Sequence, residues 1–159
     1  MDWKALTAQA APVVVTVRVE LPYLSDEPVN EGEQPKPRAI VIPLGTLSYG
    51  EWMKAEAMTP EPAIPQTLAG PGNSKLPNRD DVKYRAALSD ATEKRAYLRL
   101  AMALEKGGMA IPGSSLEAKA AIVRDELDAG VANALLTFLA TAAMNGKATA
   151  EAAADTFRR

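Results

Sequence analysis

Eleven of the twelve prolines fall between Pro12 and Pro77, and only Pro112 lies beyond them. Proline lacks an amide donor and clashes with the preceding helical turn, so it is excluded from helix interiors and from paired positions in central strands. The first half of the chain is therefore confined to short elements and irregular segments, whereas the second is free to form long helices. Charge divides similarly. Residues 1–78 carry 6 basic and 9 acidic groups, and residues 79–159 carry 12 and 11.

Within the proline-rich half, Val13 to Leu21 alternates cleanly. Val13, Val15, Val17, Val19 and Leu21 share one face, and Thr16, Arg18 and Glu20 the other. A period of two with β-branched residues predicts a strand. Arg38 to Leu44 predicts a second, with Ile40 and Ile42 on one face and Pro43 at an edge or strand end. The simplest pairing is an antiparallel hairpin around the acidic loop 25–37. Two strands alone are marginal, so a helix must cover the valines. A short helix capped by Asp2 is expected to about Gln9.

Ser48 and Glu51 have capping-box spacing, and Leu47 and Trp52 occupy the hydrophobic-staple positions, N′ and N4. They open a helix that Thr59-Pro60 ends near Met58. The staple position places Trp52 over the valine face. Tyr49 and Met53 are open to a docking role, since aromatic and Met side chains are enriched at interfaces. Residues 59–78 read as a Pro- and Gly-rich arm without regular structure. Pro60, Pro62, Ile64, Pro65 and Leu68 are its candidate partner contacts.

Beyond the arm, a long helix is expected from Asp81 to about Lys106, leaving at Gly107-Gly108. Tyr84, Leu88, Ala91, Leu98 and Met102 form one stripe, interrupted by Arg95. Tyr97, Leu100, Ala101 and Leu104 form a second, so the helix meets more than one neighbour. Ser114 to Glu117 repeats the capping-box pattern for a helix to about Asp128, broken by Gly130. A further helix, with Leu135, Phe138, Leu139 and Ala142 on its inner face, runs from Val131 to Asn145-Gly146. Thr149 caps a short tail. The predicted fold is α+β, mainly α: a small N-terminal antiparallel hairpin on an Ala-rich helical bundle. It divides into 1–58, the arm 59–78, and 79–159, within a single domain.

Composition bears on chemistry and stability. Histidine and cysteine are absent from the 159 residues, which removes His-based triads, Cys nucleophiles, disulfides and thiolate zinc sites. Gly70 to Lys75 departs from a phosphate-binding loop, because Lys follows Ser and Pro comes soon after. Asp125-Glu126-Leu127-Asp128 lacks the alternate oxygens and central Gly of a calcium loop. Ser115 and Lys119 lie one turn apart, but the serine is better explained as a cap. No nucleophile, base and orienting group can be assembled, so neither an enzyme nor a bound cofactor or metal is expected. Near-neutral charge argues against a nucleic-acid partner. The best apolar run, Val131 to Met144, is too short for a bilayer, and Met1 to Lys4 does not open a signal peptide. Ala supplies 30 residues, while Leu, Ile, Val and Phe total 33. Such a core buries little area per residue, and the fold is expected to lean on a homo-oligomer or a partner.

The hairpin, the Leu47 to Trp52 helix opening, the arm (Pro60 to Pro65 and Leu76-Pro77-Asn78) and the Ala-rich helix Val131 to Leu139 together resemble tail assembly chaperones of tailed bacteriophages. The resemblance implies a non-catalytic, self-associating protein of the host bacterial cytoplasm. It would bind the tape-measure protein, a long and largely helical rod, and keep it soluble while tail-tube subunits polymerise. It would leave before the tail is finished. Many such genes carry a frameshift signal at Gly-Lys codons near the end, where Gly146-Lys147 lies. No partner-binding residue is carried over from the family. Two other readings remain: a virion subunit of the neck, tail-completion or baseplate type that clasps neighbours through its arms, and a bacterial interaction module unrelated to phage.

Overall fold

A computed structural model describes residues 14–21, 38–68 and 75–156, with side chains of the last helix described as far as residue 142. The expectations for residues 2–9, Val13, the loop 25–37 and most of the stretch 70–75 lie outside the described residues, as does the side chain of Leu21.

Strands β1 (Val14–Leu21) and β2 (Arg38–Gly45) pair antiparallel, with Val17 opposite Ile42 and Leu21 opposite Arg38. Side chains alternate across a strand. Val15, Val17, Val19, Ile42 and Leu44 accordingly face inward and are buried, while Val14 and Val41 are exposed on the outer face. Pro43 stands opposite Thr16. In a two-stranded sheet both strands keep a free edge, the one place where a missing amide costs no ladder bond.

The helices that roof the valine face are the two long ones. Helix α1 (Tyr49–Met58) packs instead on α2 (Val82–Lys106), which lies over β2. Helix α3 (Leu116–Glu126) packs on α2, and α4 (Ala129–Thr156) lies over β1. This corrects the expectation for Trp52. It is half-buried, and with Leu47 it lines a small cavity beside Leu44 and Phe138 at the edge of the core. A single cluster joins the inward strand residues, Ala55, Leu98, Leu100 to Leu104, Ala120, Val123, Val131, Leu135, Phe138 and Leu139. Burying a residue such as Val17 fully contributes about 1.5–3 kcal/mol. Both stripes of α2 are used, because β2, α1, α3 and α4 all contact it.

Close approach at one corner fixes the sheet against α2. A Cβ on Gly45 would lie 2.2 Å from Lys106 Cβ, and one on Gly107 would lie 2.1 Å from the Pro43 carbonyl oxygen. Gly108 then leaves the helix at φ +97°, a conformation that favours glycine.

Four expectations are corrected. Residues 59–78 do contain regular structure: β3 (Gln66–Leu68) pairs antiparallel with β4 (Lys75–Pro77). The prolines do not prevent it, because Pro65 precedes the ladder and Pro77 ends it. Helix α3 is capped by Ser115, whose hydroxyl accepts from the Ala118 amide at 3.2 Å. The third helical position is then Ala118, and the reciprocal carboxylate expected of Glu117 is out of register. The break before α4 falls at Leu127-Asp128. Asp128 accepts from the Gly130 and Val131 amides, so Gly130 lies inside the first turn. Finally, α4 runs unbroken through Asn145-Gly146 to Thr156, without a separate tail helix capped at Thr149. A helical glycine costs only about 1 kcal/mol relative to Ala, and the Ala-rich sequence beyond it favours continuation.

Candidate protein-docking site

The two segments singled out for docking, α1 and the arm, are held to the body by ion pairs with α2. At the start of α1 the capping box is complete. Glu51 N–H donates to Ser48 Oγ at 3.3 Å, and Ser48 N–H donates back to Glu51 Oε2 at 2.7 Å. Lys106, from the last turn of α2, donates to the same Glu51 oxygen at 2.7 Å and to the Thr46 carbonyl at 3.1 Å. Burial pushes the Glu51 carboxyl up, but the hydrogen bonds from Lys106 and Ser48 outweigh it and hold the carboxyl below its ordinary value.

At the other end of α1, Arg95 explains its interruption of the apolar stripe. Only 6% exposed, it donates from Nε to the Thr59 carbonyl at 2.7 Å. Its Nη1 lies 3.1 Å from Glu56 and 3.7 Å from Glu61. Arg99, one turn on, also pairs with Glu56, and its guanidinium lies 3.9 Å from the centre of the Trp52 ring. The last turn of α1 has no basic residue of its own, so Arg95 supplies the positive charge that suits a helix C-terminus. The root of the arm is thereby fixed. Arg95 Nη2 and Arg99 Nε are buried without a protein hydrogen-bond partner.

What these ties hold outward is apolar. Tyr49 is 80% exposed, and Met53, one turn later on the same face, is 43% exposed. Ile64 and Leu68 are exposed, as is Pro60, while Pro62 and Pro65 are half-buried. All six strand residues of the arm are exposed. Thr67 pairs with Leu76 and Leu68 with Lys75, so the two leucines point to opposite faces. Of nine large apolar side chains exposed among the described residues, five belong to α1 or the arm.

No family model, curated protein or solved structure matches the chain.

The residues weighed for chemistry have ordinary structural partners. Ser115 is the α3 cap, and Lys119 pairs with Glu105. Arg124 pairs with its neighbour Asp125 at 2.8 Å, which lowers the Asp125 carboxyl and raises the guanidinium through that hydrogen bond. Lys75 begins a strand, whereas a phosphate-binding lysine opens a helix. Among the described residues no group of three acidic, His or Cys side chains converges to hold a metal ion. No helix among them is long and apolar enough to cross a membrane.

Sequence reasoning located the Ser48–Glu51 capping box, which the structure contains. It missed Lys106 as the tie to the cap and Gly45 as a close approach, because neither leaves a local pattern. Arg95 did leave one: a charge in an apolar stripe is a buried cation in search of partners.

Proposed function

We propose that this protein is a tail assembly chaperone of a tailed bacteriophage, a non-enzymatic protein that binds the tape-measure protein and keeps it soluble while the tail tube assembles. The reading rests on the resemblance carried by Leu47 to Trp52, the arm and Val131 to Leu139. The observation that most supports a protein-binding role is the concentration of exposed apolar side chains on α1 and the arm. Five of the nine large apolar side chains exposed among the described residues lie on these two segments, a density above the single scattered exposures that need no explanation. Tyr49 and Met53 present an aromatic and a flexible thioether on one helical face, a pairing suited to an apolar stripe of a helical client.

Co-expression tests the proposal. The tape-measure protein encoded beside this gene should become more soluble with the chain than without it, and Tyr49→Ala with Met53→Ala should weaken that gain. Removing residues 59–78 should weaken it too. Failure of the client to bind or to gain solubility would refute the chaperone reading. Recovery of the 159-residue chain from purified virions would favour a structural subunit that clasps its neighbours.

A further inference from the structure

We infer that the face of α2 bearing Arg95, Arg99 and Lys106 is a binding site for an acidic helix, and that α1 occupies it in the free chain as a displaceable internal ligand. At about 3.6 residues per turn the three cations fall within about 40° of one another around α2, so they form one row. All four ion pairs that join α1 and the arm's root to α2 among the described residues run the same way. The cations are Arg95, Arg99 and Lys106, and the carboxylates are Glu51, Glu56 and Glu61.

Two observations separate α1 from an ordinary packed helix. It buries a single side chain, the small Ala55, where α2 buries eight. Apolar burial therefore holds it weakly, and its seat is fixed by charge and by the Arg99 guanidinium over Trp52. Nor does α1 saturate the site. Arg95, only 6% exposed, keeps Nη2 without a hydrogen-bond partner, and Arg99 keeps Nε without one. A buried charged donor left unmet is costly, and a ligand with one more carboxylate on the facing side would relieve it. The chemistry of the partner follows from the row: a helix whose carboxylates flank an apolar seam, as Glu51 and Glu56 flank Ala55 and Trp52.

Such a partner acts by shifting an equilibrium, since it binds only the form in which α1 has left its seat. Tyr49 and Met53 are held outward only while α1 is seated. An acidic helix on α2 would therefore withdraw that apolar pair, which makes the exchange a regulator of the docking surface. The inference goes beyond client binding and requires no client.

Hydrogen exchange of the full-length parent is the first arm of the test. Amides of residues 52–59 should exchange about tenfold faster, or more, than those of Leu98 to Leu104, through an opening that leaves α2 protected. The second arm uses a labelled peptide with the sequence of residues 46–62, which carries Glu51, Glu56 and Glu61. The tethered α1 competes at high effective concentration, so the parent should bind this peptide weakly. The full-length Glu51→Lys/Glu56→Lys variant repels its own α1 and should bind the peptide about tenfold more tightly, or more, by fluorescence anisotropy. A peptide with all three glutamates changed to glutamine should bind neither protein. Protection of α1 equal to that of α2, no tighter binding by the variant, or equal binding of the two peptides would each overturn the inference. If the variant fails to fold, exchange of the parent decides alone. Neither arm contains the tape-measure protein, so failure here leaves client binding standing.

Discussion

Replacing Arg95 by Met tests whether the buried guanidinium holds the arm or merely fills space. Methionine keeps most of the stem volume and removes the charge. The change deletes a charged hydrogen bond to the Thr59 carbonyl at 2.7 Å and the ion pair with Glu56 at 3.1 Å. A hydrogen bond to a charged group is worth about 1.5–3 kcal/mol. The contact with Glu61, at 3.7 Å and on a carboxylate 68% exposed, adds little. Two effects offset the loss. Glu56 keeps Arg99, so no buried charge is stranded, and a buried Met avoids the desolvation cost of a guanidinium. The net expectation is a loss of about 1–3 kcal/mol, rising to about 2–4 kcal/mol for Arg95→Ala, which also leaves a cavity. Urea titration should show lower midpoints at unchanged slope. Limited proteolysis should cut at residues 59–65 faster in both variants while α2 stays resistant. An Arg95→Met protein as stable as the parent, with an arm root no easier to cleave, would refute the role given to Arg95.

Val17→Asp places an unpaired charge at a fully buried position, and a loss above about 4 kcal/mol or failure to fold is expected in thermal or urea unfolding. Ser48→Ala removes the cap of α1 and should cost about 0.5–2 kcal/mol by denaturant titration; no loss would contradict the capping role. Acid unfolding should depend on Glu51. Its carboxyl is depressed in the folded chain, so its contribution is complete above the unfolded carboxylate value of about 4.3 and is lost as pH falls through the folded value. The stability difference between the parent and Glu51→Gln should therefore shrink as the pH is lowered below about 4.

The parts of this fold legible in the sequence are those written in local patterns. Alternation at Val15, Val17 and Val19 specifies both the strand and its buried face, since a slip of one residue would turn every valine outward. Asp81 and Gly107 bound α2 because cap chemistry acts within one turn: the Tyr84 amide donates to Asp81 at 2.9 Å. The tertiary arrangement was less legible. Trp52 stands at the staple position, yet α2 and α4 cover the valines, because their longer apolar faces bury more of the sheet than a ten-residue helix can. Gly130 and Gly146 read as breaks, but the Asp128 cap starts the helix ahead of Gly130, and the Ala-rich neighbours of Gly146 carry it onward. The candidate docking residues were readable as types, with Tyr49, Met53 and Leu68 exposed and Pro62 and Pro65 half-buried. What the pattern could not supply was the long-range tie at each end of α1, since Lys106 and Arg95 lie far from their partners in sequence.

Amide hydrogen exchange of the chain with and without the tape-measure protein tests the central claim most directly. If α1 and the arm are the docking surface, client binding should slow exchange across residues 49–68 and 75–78 and leave the already protected core of β1, α2 and α4 nearly unchanged. Protection confined to the outer face of the β1–β2 hairpin, or no change at saturating client, would contradict the account.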